Sequence, residues 1–170
     1  MCILSKLPKG FLSNPVHFAA FGFGSGCSPF APGTFGTLVG VLLYLAMQFL
    51  SLWSYLMLVV VAFFVGIWFC AKASQALGVH DHGGIVWDEF VGYWITMFAA
   101  PQGWEWIVVG FLLFRLFDIW KPQPIKFIDQ RVHGGFGIML DDVLAGVYAW
   151  LVLQLIAYAI NGTVPLLNTA

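Results

Sequence analysis

Apolar residues in this chain run in blocks rather than in alternation. Five blocks stand out, at 35–50, 52–70, 85–100, 104–120 and 143–160. A helix that crosses a bilayer needs about 20 mostly apolar residues, with a range of about 17–25. The second and fifth blocks meet that length, and the first and fourth meet it when their polar ends are included. The third is short and carries Asp88 and Glu89 near its start. It reads either as a span whose first turn lies in the interface or as a re-entrant segment. The pattern predicts an all-α, polytopic integral membrane helix bundle.

Composition strengthens that reading. Of 170 residues, 61% are hydrophobic and only 9% charged, and mean hydropathy is +0.89. A soluble domain carries about 25% charged residues. A net charge of −1 offers no basic surface for nucleic acid. Cys2, Cys27 and Cys70 show neither CxxC nor metal-ligand spacing, and read as reduced structural or incidental thiols. Lys6 and Lys9 precede a run interrupted by Asn14, Pro15, His17 and glycines, which argues against a cleaved signal peptide. One domain is expected, with an N-terminal segment at 1–20, a helical bundle at 21–160 and a tail at 161–170.

The basic residues set an orientation. Lys6 and Lys9 precede the first block, Lys72 follows the second, and Arg115, Lys121, Lys126 and Arg131 cluster between the fourth and fifth. The turns after the first and third blocks have no Lys or Arg. The bias towards positive cytoplasmic loops then gives a cytoplasmic N-terminus, an outer C-terminus and five crossings. Segments 21–37, 72–89 and 115–142 share the cytoplasmic face. They hold every carboxylate except Glu105 and every histidine except His17.

The candidate acids are Asp81, Asp88, Glu89, Asp118, Asp129, Asp141 and Asp142. Charge placed in or beside a span is costly and usually functional. The helix dipole favours acids at an N-terminus. That accounts for Asp141 and Asp142 if they open the fifth helix, but not for Asp118 near the end of the fourth block. Acids gathered at one interface repel, and a hard divalent cation such as Mg²⁺ relieves this. His80 and His82 flank Asp81, either as solvated loop residues or in supporting contacts. On a helix, Arg115 and Asp118 share a face, Lys121 lies one turn further, and Pro122 ends the helix. That stripe serves either as a self-contained Arg115–Asp118 ion pair or as a phosphate site, Arg giving paired hydrogen bonds and Lys a point charge. The Gly- and Pro-rich stretch GFGSGCSPFAPGTFGTL leads into a helix beginning near Thr34. Its amides suit a phosphate, or Thr34 is simply an N-cap after a turn. It is not a P-loop, because no Lys follows Gly33.

A short motif recurs. HGGIVWDE at 82–89 is echoed by HGGFGIMLDD at 133–142. After each acidic pair comes a small residue, Gly92 or Gly146, and then an aromatic. Small residues let membrane helices approach closely. The two segments are expected to pack in parallel, with both acidic pairs at one level across one metal site and Asp118 beside them.

Other chemistries lack their motifs. Neither Cys27 nor Cys70 is followed by Arg six residues later, and DxDx nucleophile and GxSxG patterns are absent. Metal-assisted hydrolysis is the simplest enzymatic reading. A small ion or solute transporter using intramembrane acids is the rival.

Three stretches, GFGSGCSPFAPGTFGTL, HDHGGIVWDEFVGYWITM and FRLFDIWKPQPIKFIDQRVHGGFGIMLDDVLAGVYAW, cover most of 21–150. Together they resemble the phosphatidylglycerophosphatase A family of membrane-bound bacterial lipid phosphatases. The resemblance implies removal of the terminal phosphate of phosphatidylglycerophosphate, with Mg²⁺, at the cytoplasmic face of the inner membrane, in phospholipid synthesis. Asp88, Glu89, Asp118, Asp141 and Asp142 then form the catalytic set, with Glu89, Asp118, Asp141 and Asp142 as metal ligands. Arg115 and Lys121 bind the phosphate, together with Gly33, Thr34, His82 and His133.

Overall fold

Every apolar block becomes a helix, but several ends move. A computed structural model describes residues 7–79 and 82–162, so His80 and Asp81 lie outside the described residues. All regular structure among these residues is helical. A short helix α1 (Pro15–Ala20) begins at Asn14, whose side chain accepts from the Val16 N–H at 2.9 Å. Irregular turns at Gly22–Cys27 lead to α2 (Pro32–Met47). Pro32 opens α2, where a missing N–H costs nothing. The N-cap is Ala31, not Thr34, which sits in the first turn.

α3 (Leu52–Leu77) starts where the pattern placed it, capped by Ser51, and runs seven residues past Cys70 to Gly78 at φ 68°. α4 (Trp87–Thr96) has 10 residues. At 1.5 Å per residue it is about 15 Å long, half of a hydrocarbon core of about 30 Å. The third block is therefore a helix shorter than that thickness. α5 (Trp104–Trp120) keeps both expected ends, stopped by Lys121 at φ 44° and then Pro122. After α6 (Ile125–Arg131), α7 (Gly134–Asn161) begins well before residue 143. Asp141 and Asp142 therefore lie two turns inside α7 rather than at its mouth. The dipole acts within the first turn only, so it does not account for them.

Glycines in a first turn disfavour a helix, yet α7 needs them. A Cβ on Gly135 would meet the Ala71 backbone N at 2.7 Å, so α7 lies against the backbone of α3 there.

α4 is the hub. It packs against α2, α3, α5 and, most extensively, α7. All but Trp87 and Ile95 of its residues are buried, the acids Asp88 and Glu89 among them. Phe90 and Tyr93 on α4, Phe114 on α5, and Met139 and Leu153 on α7 are fully enclosed. α3 and α7 have the length and apolarity to cross a membrane. On α3 the outward stripe Trp53, Met57, Val61, Phe64 and Trp68 stays exposed. So extended an apolar surface marks a face that meets lipid or another apolar partner.

The contacts between α4 and α7 fix their sense. A Cβ on Gly146 would meet the Gly92 Cα at 3.2 Å, and the Thr96 hydroxyl lies 3.4 Å from the Gly146 carbonyl. Further along, the Trp150 indole N–H donates to the Phe98 carbonyl at 2.9 Å. Residue numbers rise together, so the two repeat copies run parallel and their acidic pairs sit at one level.

Candidate active site

Glu89 stands in the first turn of α4 and faces α5 and α2. Its Oε2 accepts from Arg115 Nη1 and, at 2.8 Å, from the Thr37 hydroxyl. Arg115 Nη1 also reaches Asp118 Oδ2 at 2.8 Å across one turn of α5. Arg115 and Asp118 thus share the face predicted for them, and Glu89 makes the pair a triad. Arg115 Nε is buried without a hydrogen-bond partner.

Thr37 is fully buried, and its hydroxyl is 2.9 Å from the Gly33 carbonyl and 3.4 Å from Arg115 Nη1. It ties α2 to α4 and α5. One threonine among glycines carries no signal of its partners in the sequence. Gly33 belongs here for a steric reason: a Cβ would fall on Glu89 Oε1 and lie 3.2 Å from Arg115 Nη1. Thr34 is half-buried in the first turn of α2.

A second ion cluster lies beside the first. Lys121 Nζ donates to Asp141 Oδ2 at 2.7 Å and to Asp129 Oδ1 at 2.9 Å. The left-handed turn at Lys121 carries its side chain off the Arg115–Asp118 stripe towards α6 and α7. Burial works against its ammonium, but Asp141 and Asp129 outweigh that and raise its pKa, so Lys121 is held charged.

Asp142 joins the two clusters. It is 3% exposed, and its Oδ2 is buried with no hydrogen-bond partner. Asp118, Asp88, Glu89 and Asp141 all lie within electrostatic reach of it, as does Arg115. Asp88 is buried, and its Oδ1 accepts from the Glu89 N–H at 3.1 Å. α4, α5 and α7 thus bring Asp88, Glu89, Asp118, Asp141 and Asp142 into one neighbourhood, with Arg115 and Lys121 as counter-charges.

His82 and His133 lie just ahead of α4 and α7, where the chain leads into them. His82 Nδ1 accepts from the Gly84 N–H at 3.1 Å and closes its own turn. His133 is exposed at the N-cap of α7. It stands eight residues before Asp141, about 12 Å along the axis.

Among the described residues, no three acid, cysteine or histidine side chains are gathered as a group that could hold a metal ion. Arg115 and Lys121 draw the acids into separate pairs instead. The donor set still fits a hard cation. Acids outnumber cations here, all donors are oxygens, and a buried carboxylate oxygen of Asp142 has no partner. Mg²⁺ typically takes one or two carboxylates and completes its shell with waters and substrate phosphate.

Comparison with known proteins bears on this arrangement. Residues 18–157 match the family model described as PgpA, Phosphatidylglycerophosphatase A. The chain is 47% identical over 148 residues to a phosphatidylglycerophosphatase A of Escherichia coli (strain K12), covering 86% of each chain. It is also 47% identical over 156 residues to one of Haemophilus influenzae, covering 91% of this chain and 96% of the relative. No solved structure matches.

Proposed function

The chain belongs to the phosphatidylglycerophosphatase A family, and from that premise we propose how its buried charges divide the work. The protein is a lipid phosphatase. It releases the terminal phosphate of phosphatidylglycerophosphate, giving phosphatidylglycerol and inorganic phosphate, in phospholipid biosynthesis. The observation that carries the site assignment is the bare, buried Oδ2 of Asp142, set among four other carboxylates and beside Arg115.

Hydrolysis breaks the P–O bond to the lipid's glycerol and passes the phosphoryl group to water. Little of this calls for covalent help from the protein, so positioning and charge supply most of the acceleration. Arg115 and Lys121 take the phosphate oxygens, each exchanging carboxylate partners for phosphate. Arg offers two parallel N–H groups and Lys a point charge. Thr37 holds Glu89 in place while Arg115 is so engaged. Gly33 leaves room for both. Glu89, Asp118, Asp141 and Asp142 are the residues that would hold Mg²⁺, with Asp88 in support; when bound, the ion supplies Lewis-acid neutralisation of phosphate charge. His82 and His133 stay at the margin as contacts to substrate in the adjoining loops.

We place the site at the cytoplasmic face of the bacterial inner membrane, in a multi-pass bundle with a cytoplasmic N-terminus. Support comes from the charges at the helix ends. Lys72, Lys121, Lys126 and Arg131 lie at the same end of the bundle as the acids, while 48–51 and 97–103 have no Lys or Arg. The test of the metal role is phosphate release from phosphatidylglycerophosphate by purified enzyme in detergent. Chelation should abolish it and added Mg²⁺ restore it; full activity after exhaustive chelation would contradict the assignment.

A further inference from the structure

The established reaction leaves the substrate's hydrocarbon unassigned. An apolar groove of about 230 Å³ lies between α3, α4 and α7. Tyr55 and Val59 on α3, Trp94 and Ile95 on α4, Phe98 in the turn that follows it, and Trp150 on α7 form its walls. The polar tips in these walls are tied to backbone. The Tyr55 hydroxyl donates to the Trp94 carbonyl at 2.6 Å, the Trp94 indole to the Gly40 carbonyl at 2.9 Å, and the Trp150 indole to the Phe98 carbonyl at 2.9 Å. The walls therefore offer hydrocarbon contact and no spare side-chain donor, as an acyl chain requires.

Position argues the same way. Ile95 follows Asp88 by seven residues on α4, and Trp150 follows Asp142 by eight on α7. Seven residues bring Ile95 to within about 20° of the direction of Asp88, and eight put Trp150 about 80° round from Asp142, still on the same half of α7. The α4 wall of the groove thus continues the stripe of Asp88 and the α7 wall flanks that of Asp142, about 10–12 Å along the axes. The groove opens at Leu56, which is 36% exposed, onto the face of α3 that carries Trp53, Met57 and Val60.

We propose that this groove is a binding site for one acyl chain of the lipid substrate, entered sideways from the bilayer while the phosphomonoester sits at the acids. The proposal rests on the acid cluster being the reacting site. Anchoring the chain two turns from the acids fixes the headgroup's depth and favours long-chain phosphomonoesters over short-chain ones. A partly filled groove gives up that preference.

The test compares dihexanoyl and dipalmitoyl phosphatidylglycerophosphate in mixed micelles with the full-length enzyme and Ile95→Trp. Losing contact for about two methylenes lowers kcat/KM on the long-chain substrate by about tenfold, with the short-chain value changed less than about twofold. An equal effect on both, or none on either, overturns the proposal. Should Ile95→Trp not fold, as loss of both activities together with a lowered melting temperature would reveal, photolabelling decides. Wild-type enzyme is irradiated with substrate carrying a photoreactive group midway along one acyl chain. Label on residues 55–59, 94–98 or Trp150 supports the groove, and label confined to residues outside it refutes it. An Asp142→Asn enzyme that still hydrolyses both substrates would sink the site reading instead, so the two failures are distinguishable.

Discussion

Thr37 has no charge and no access to solvent, yet it touches Glu89, Arg115 and the backbone of Gly33. A hydrogen bond to a charged group is worth about 1.5–3 kcal/mol. If Glu89 must be held in place during turnover, Thr37→Val lowers kcat by about ten- to a hundredfold. KM should change little, and Thr37→Ser should restore most of the rate. A Val variant with wild-type kcat would show the hydroxyl to be idle. Lys121 makes a different prediction. Asp141 and Asp129 keep its ammonium charged, and its proposed role is to take a substrate phosphate. Lys121→Ala should chiefly raise KM, and an unchanged KM would remove it from phosphate binding. At this scale the sequence disclosed the charged residues, because acids and cations in so apolar a chain announce themselves. It disclosed neither Thr37 nor the partner of each charge. Pairing Glu89 with Arg115 across 26 residues depends on how three helices meet.

The acids are brought together at the level of helices. The parallel run of α4 beside α7 relies on Gly92 and Gly146, whose backbones nearly touch. A methyl group at either position forces the helices apart. Overpacking of this kind typically costs about 1–3 kcal/mol. Gly146→Ala should therefore lower the melting temperature in detergent and reduce activity together; a variant as stable and active as the wild type would contradict the close approach. The repeated His-Gly-Gly motif and the small residue after each acidic pair made this packing readable in advance. The start of α7 was not readable. Gly134, Gly135 and Gly137 looked like loop residues by propensity, and only the proximity of α3 explains why a helix begins there. α4 misled in length: its apolar run extends past Thr96, but the helix ends there and the chain turns through residues 97–103.

For the molecule as a whole, two long apolar helices carry an outward face suited to lipid, and a short, almost wholly buried helix stands at the hub. That plan encloses a charged centre which an apolar chain would otherwise not tolerate. Burying an unpaired carboxylate oxygen is expensive, and Asp142 bears that cost among other acids. Charge buried in so apolar a chain is usually kept for function. The family and its reaction were legible in the order of three motif blocks along the chain, and the echo of HGGIVWDE in HGGFGIMLDD set the two acidic pairs at one level; which cation each acid pairs with depended on the fold. The most direct test is phosphate release from phosphatidylglycerophosphate by purified Asp142→Asn beside wild type, with membrane insertion and melting temperature measured on the same samples. An inserted, folded protein whose rate falls to background is expected. An inserted Asp142→Asn enzyme that turns over at the wild-type rate would contradict it.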